Sequence, residues 1–75
     1  MTAKWGVVKK ACEAHNLEVT RHGSEYKISG IAVDGQYRSL IIGHEWTRST
    51  STVVPCNYVA MLKRRFGLKD EDFRP

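Results

Sequence analysis

Long hydrophobic runs are missing from this chain. Its longest apolar stretch is only a few residues, so no segment is expected to span a membrane. Cysteine is scarce, and Cys12 and Cys56 stand far apart rather than at the close spacing of a zinc site. His44-Glu45 has no second histidine four residues on, which excludes the zincin helix motif. No metal and no cofactor are therefore expected. A signal-peptide pattern is also absent at the N-terminus. That favours two free, buried thiols in a cytoplasmic protein over one disulfide in a secreted mini-domain. Repeats and low-complexity tracts are missing too.

What is present fits one domain over residues 1–75. An apolar share of 41% supplies one thin core, so two packed layers are expected. Excess negative charge is absent, since the net charge is +4 and the surplus is unevenly placed. Between residues 21 and 65 seven Lys/Arg face only Glu25, Asp34 and Glu45. The first twenty residues are near balance, and the stretch from Phe66 is slightly acidic. A basic middle segment suits an anionic partner, nucleic acid first and an acidic protein second.

Trp5, Val8, Cys12 and His15 recur at helical spacing and predict an amphipathic helix over residues 4–15, weakened by Gly6 and stopped at Asn16. Leu17 and Val19 alternate with polar neighbours as a short strand, followed by the turn residues His22-Gly23-Ser24. Residues 25–33 read as a second strand with a bulge at Gly30. Asp34-Gly35 signals a two-residue type I′ hairpin into a third strand over residues 36–43. The polar, aperiodic GHEWTRSTST is expected to form a mobile surface loop, assigned to residues 43–54. Tyr58, Val59, Leu62 and Phe66 fall on one arc of a second helix, beginning at Pro55 or Asn57 and closed by Gly67. Residues 69–75 are left as a short acidic tail, with a capping turn as the alternative. The fold class is α+β, a two-layer α-β-β-β-α sandwich with a three-stranded antiparallel sheet.

Three stretches together resemble the HicA toxin family, whose members have a double-stranded-RNA-binding-domain-like (dsRBD-like) fold. Gly23-Ser24 opens the second strand where that family has Gly-Ser-His. Asp34-Gly35, a strand and then His44 match its hairpin and its histidine after the strand. Leu62–Phe73, LKRRFGLKDEDF, is similar to its ending of helix, Gly-Leu, acidic run and Phe. The resemblance implies a metal-independent endoribonuclease of toxin–antitoxin type, acting on messenger RNA and neutralised by a HicB-like antitoxin protein. It also implies a catalytic histidine after Gly-Ser, and here that position is Glu25. RNA cleavage needs a base that titrates near neutrality to take the 2′-hydroxyl proton, which histidine provides and a glutamate with an ordinary pKa of about 4.3 does not. Losing such a group costs on the order of 10²–10⁴ in rate.

His22 and His44 are the remaining candidates for an acid–base pair, set against a solvated turn residue and a phosphate contact. Arg21, His22, Ser24, Lys27, Arg38, His44 and Arg48 form the candidate nucleic-acid-binding set. Trp46 either stacks on an unpaired base or folds back onto the sheet, the second being preferred. Lys63, Arg64 and Arg65 close the second helix, where cations complement its dipole or dock a partner. The leading expectation is RNA binding through the first hairpin and the loop after the third strand. The alternative is a non-catalytic phage or mobile-element interaction module whose basic face binds an acidic partner.

Overall fold

Helix α1, Trp5–Ala14, turns Trp5, Val8, Ala11 and Cys12 inward, as their spacing requires. Asn16, in the left-handed region at φ 63°, reverses the chain after it. These elements belong to a computed structural model that describes residues 1–74. Two short strands frame the main body, β1 (Ala3–Lys4) and β5 (Val53–Val54), which pair antiparallel with each other. Between them run β2 (Glu18–His22), β3 (Glu25–Ile31) and β4 (Tyr37–Ile42), an antiparallel sheet in the order β2-β3-β4. Helix α2, Cys56–Phe66, follows β5 and ends at Gly67, φ 78°. The architecture is mixed α and β: two helices, a three-stranded antiparallel sheet and a small two-stranded one.

One core joins the layers. Ile28, Leu40 and Ile42 lie on the inner face of the sheet and share a cluster with Val8 and Cys12 of α1 and with Val59, Leu62 and Phe66 of α2. Of the opposite parity, Thr20, Ile31, Tyr37 and Ile41 are exposed on the outer face, whereas Ser29 at its middle is buried. Among the described residues no helix is long and apolar enough to cross a membrane.

The register corrects two expectations. Glu18 pairs with Ser29, and Gly30 with Arg38, without an extra residue, so there is no bulge at Gly30. The glycine makes room for a neighbour instead. A Cβ there would come within 2.6 Å of Leu17 Cδ2, so a larger residue would have to displace the buried Leu17 side chain. The second hairpin also differs from a two-residue type I′ turn. Gly35 N donates to Ala32 O and Ala32 N to Gln36 O, which closes a three-residue loop over Val33, Asp34 and Gly35. Gly35 alone has positive φ, at 83°, the pattern of a type I turn followed by a left-handed glycine.

Helix α2 is anchored at its end by long-range partners. The last carbonyls of a helix lack intrahelical donors. Here Arg65 O accepts from Val33 N at 2.9 Å and Phe66 O from His15 Nε2 at 3.0 Å, while Gly67 N caps Lys63 O locally at 2.9 Å. His15, expected on the buried face of α1, is instead exposed and fastens α2. Arg65 Nη1 donates to Ser39 O at 2.9 Å, and Lys63 pairs with Asp70. The acidic stretch folds as a 3₁₀ turn, Asp70–Phe73, in which Asp72 Oδ2 accepts from Lys69 N at 2.8 Å. Leu68 and Phe73, each 3% exposed, join the core. The capping turn is therefore the form this segment takes.

Residues 43–54 are not without structure. They hold a 3₁₀ turn at His44–Trp46, the buried Thr47 and strand β5. Thr50 O and Thr52 O accept from Gly6 N and Trp5 N, at 2.9 and 2.8 Å. The first amides of α1 are thereby satisfied by this segment. Sequence periodicity is silent here because the partners are backbone groups far away in the chain.

Candidate nucleic-acid interface

The two-residue connection Gly23-Ser24 closes a tight hairpin, with His22 directly opposite Glu25. Gly23 has φ 67° and Ser24 does not have positive φ, the sign pattern of a type II′ turn. Arg21 Nε donates to Gly23 O at 3.2 Å, which holds the guanidinium against the turn and leaves its other N–H groups free. Ser24 is exposed at the tip.

Register assigns the side chains to faces. Arg21 pairs with Tyr26, and Tyr26 with Ile42, so Arg21 lies on the helix side at the sheet edge. His22 and Glu25 share the outer face with Lys27, which stands between Thr20 and Ile41. Strand β4 ends at Ile42, opposite Tyr26, so His44 emerges at the same end of the sheet as the Gly23-Ser24 turn. Arg21, His22, Ser24, Lys27 and His44 are thus brought to one end. Arg48, exposed, sits in the segment bound to the start of α1, and that helix end packs at the same side through Trp5 and Tyr26, whose ring centroids are 4.9 Å apart.

Arg38 stands apart. It pairs with Gly30 near the opposite end of the sheet, and its guanidinium grips Asp34 Oδ2 through Nε at 2.9 Å and Nη2 at 2.6 Å. Gln36 N adds a bond to Asp34 Oδ1 at 3.1 Å. Hydrogen bonding from Arg38 holds the Asp34 carboxyl below its usual range and raises Arg38 in turn. Arg38 closes the second hairpin rather than lining the first.

The two histidines do not form a direct pair. Strand β3 lies between the strand carrying His22 and the strand preceding His44. Two strand spacings, about 10 Å, separate those backbones. Among the described residues neither ring, nor the side chains of Lys27 and Arg48, makes a hydrogen bond or ion pair within the chain. These groups present their donors to solvent. Glu25 is exposed opposite His22.

Two contributors are not evident from the sequence. Lys9 Nζ lies 5.9 Å from the centroid of the Tyr26 ring, which Trp5 backs from the core side. This adds a cation and an aromatic face beside Arg21. Only the strand register and the docking of α1 bring Lys9, Tyr26 and Arg21 together. Trp46 is half-buried against the core, as preferred from sequence, and is not a free stacking platform.

Both thiols are free, Cys12 buried and Cys56 exposed. The expectation that both are buried therefore fails for Cys56, at the first position of α2. Burial pushes the Cys12 thiol up to about 12. Among the described residues no three His, Cys, Asp or Glu side chains converge as metal ligands.

No family model, curated protein or solved structure matches the chain.

Proposed function

We propose that this protein binds RNA through the β2–β3 hairpin and the segment after β4, as a HicA-like, dsRBD-like domain. One observation carries the reading. Arg21, His22, Ser24, Lys27 and His44 meet at one end of the sheet, with Arg48 and Lys9 nearby, and most of their donors have no partner within the chain. Unpaired cations around a tight turn fit the evenly charged phosphate backbone, and Arg and Lys contacts there release counterions. A hydroxyl and a turn amide at the tip add neutral donors.

Binding and cleavage make different demands on these residues. Glu25 occupies the position where the resemblance implies a catalytic histidine. His22 and His44 would have to serve as base and acid across the width of β3. A HicB-like antitoxin, and the cytoplasmic setting of such a pair, belong to the same proposal. So does the alternative, a non-catalytic phage or mobile-element module whose basic face binds an acidic protein.

The test is fluorescence anisotropy with a labelled twelve-nucleotide RNA at 50 to 200 mM salt. Three or four phosphate contacts predict a slope of log affinity against log salt of about −2 to −3, hence a loss of roughly 20- to 60-fold over that range. Replacing Arg21 or Lys27 by alanine is expected to flatten the slope by about 0.7 each, and replacing Arg38 to leave it unchanged. No binding at 50 mM salt refutes the RNA reading. Metal-free incubation with the same RNA separates binding from cleavage. Cyclic-phosphate ends that disappear in His22→Ala or His44→Ala would assign those residues to catalysis.

A further inference from the structure

The end of the sheet opposite the Gly23-Ser24 turn carries a second, different surface. A groove of about 420 Å³ lies between the β3–β4 turn and the last turns of α2. Ala32, Val33 and Met61 give it an apolar floor, and Arg38, Arg64 and Arg65 ring it. Asp34 neutralises Arg38, and Arg65 gives one N–H to Ser39 O, but Arg64 is exposed and makes no hydrogen bond or ion pair among the described residues. Val33 is 68% exposed, and on either side of the turn Ile31 and Tyr37, paired across the strands, are 64% and 65% exposed.

We propose that this groove docks an acidic protein segment that carries an aliphatic or aromatic side chain. The apolar side chain covers Val33 and Met61, and the carboxylates meet Arg64 and the free N–H groups of Arg65. Charge complementarity selects the acid, since three guanidiniums face a single carboxylate inside the groove. The choice of protein over nucleic acid follows from the floor. A phosphate backbone offers nothing apolar to cover Val33 and Met61, and nucleic-acid interfaces are markedly polar. Arginines around apolar side chains that a partner desolvates are instead typical of protein-interface hot spots, where guanidiniums take carboxylates in bidentate geometry. The groove is separated from the proposed RNA end by the length of β3, about 20 Å. Occupancy of the two can therefore be measured independently.

The experiment uses phage-displayed random twelve-residue peptides, selected on the full chain and counter-selected on its Arg64→Glu variant. Recovered peptides are expected to combine Asp or Glu with an aromatic or aliphatic residue and to bind at least tenfold more weakly to Arg64→Glu. Val33→Ser is expected to weaken them severalfold, and Arg21→Ala to leave them unchanged. Arg64 is exposed and makes no internal bond, so its variant retains the fold, and circular dichroism checks this. A selection whose peptides do not distinguish the two proteins overturns the proposal, as do peptides without acidic residues. Displacement of the peptides by a ten-nucleotide oligouridine, with amide shifts at Val33 and Arg64, also overturns it and assigns the groove to nucleic acid.

Discussion

Replacing Phe73 by alanine tests whether the acidic stretch after α2 is part of the folded body. Phe73 is 3% exposed, alongside Leu68 at 3%, although three carboxylates immediately precede it. Burying a phenylalanine side chain contributes about 1.5–3 kcal/mol, and truncation in a rigid core costs about 3–5 kcal/mol because a cavity remains. Phe73 sits on a single 3₁₀ turn held by the Lys63–Asp70 pair and the Asp72–Lys69 bond. Such a turn relaxes into the vacated space more readily than a helix in the layer would, so a loss of about 2–3 kcal/mol is expected. A domain of this length has roughly 4–11 kcal/mol in total. With a urea m-value of about 1 kcal/mol/M, the unfolding midpoint should fall by about 2–3 M. Fluorescence of the buried Trp5 follows the transition. Glu71→Ala, at an exposed position, is the control and should stay within about 0.5 kcal/mol. A Phe73→Ala loss no larger than the control's would refute the docking of this segment.

Three further outcomes follow from the ionisable groups Cys12 and Asp34. The Cys12 thiol, pushed up to about 12 by burial, should stay silent to a thiol reagent at pH 8 while exposed Cys56 reacts, and two fast-reacting thiols in native protein would contradict the packing. A raised folded pKa stabilises below the ordinary value of 9.0 and loses its contribution as pH climbs from there toward 12. Wild type should therefore lose urea resistance over that window more steeply than Cys12→Ala, and parallel slopes would count against it. For Asp34 the sign is opposite. Its lowered pKa contributes stability above the ordinary value of 3.8, lost as pH falls through the folded value. Carbon-detected NMR titration should find the Asp34 midpoint below 3.8 and moving up in Arg38→Ala, whereas an unmoved midpoint would dissolve the pair.

Periodic features were legible before the structure. Trp5, Val8 and Cys12 mark the buried stripe of α1, and Val59, Leu62 and Phe66 that of α2, because burial on a helix writes a 3.6-residue rhythm into the chain. Gly67 closes α2 for a local reason as well. What was not legible depends on partners distant in sequence. Strands β1 and β5 are two residues each, too short for any alternation. His15 completes the helical spacing of α1, yet the ring turns to Phe66 O because that carbonyl lacks a donor. The Asp-Gly pair signals a turn, but its length was decided by Ala32 and Gln36 and by the grip of α2 on Val33. At the candidate site the cations of the first hairpin could be named from sequence. Their division between two faces, the arrival of Lys9 over Tyr26 and the removal of Arg38 to the far end required the register.

Glu25 bears differently on the two halves of the proposed function. Its carboxylate stands beside the cations that would hold a phosphate, and repulsion between two such charges about 5 Å apart in water is roughly 1 kcal/mol. Each hydrogen bond from a charged donor contributes about 1.5–3 kcal/mol. Arg21 and Lys27 together therefore outweigh Glu25, and phosphate binding tolerates the carboxylate. Proton transfer has no such margin. It needs one group, at one position, that accepts a proton near neutral pH within about 3 Å of the attacking hydroxyl. Histidines on either side of β3 supply the right chemistry at a separation that only a substrate lying across the strand could bridge. A site summed from many weak attractions tolerates one carboxylate among its cations, whereas a site that depends on one proton fails without the group that moves it.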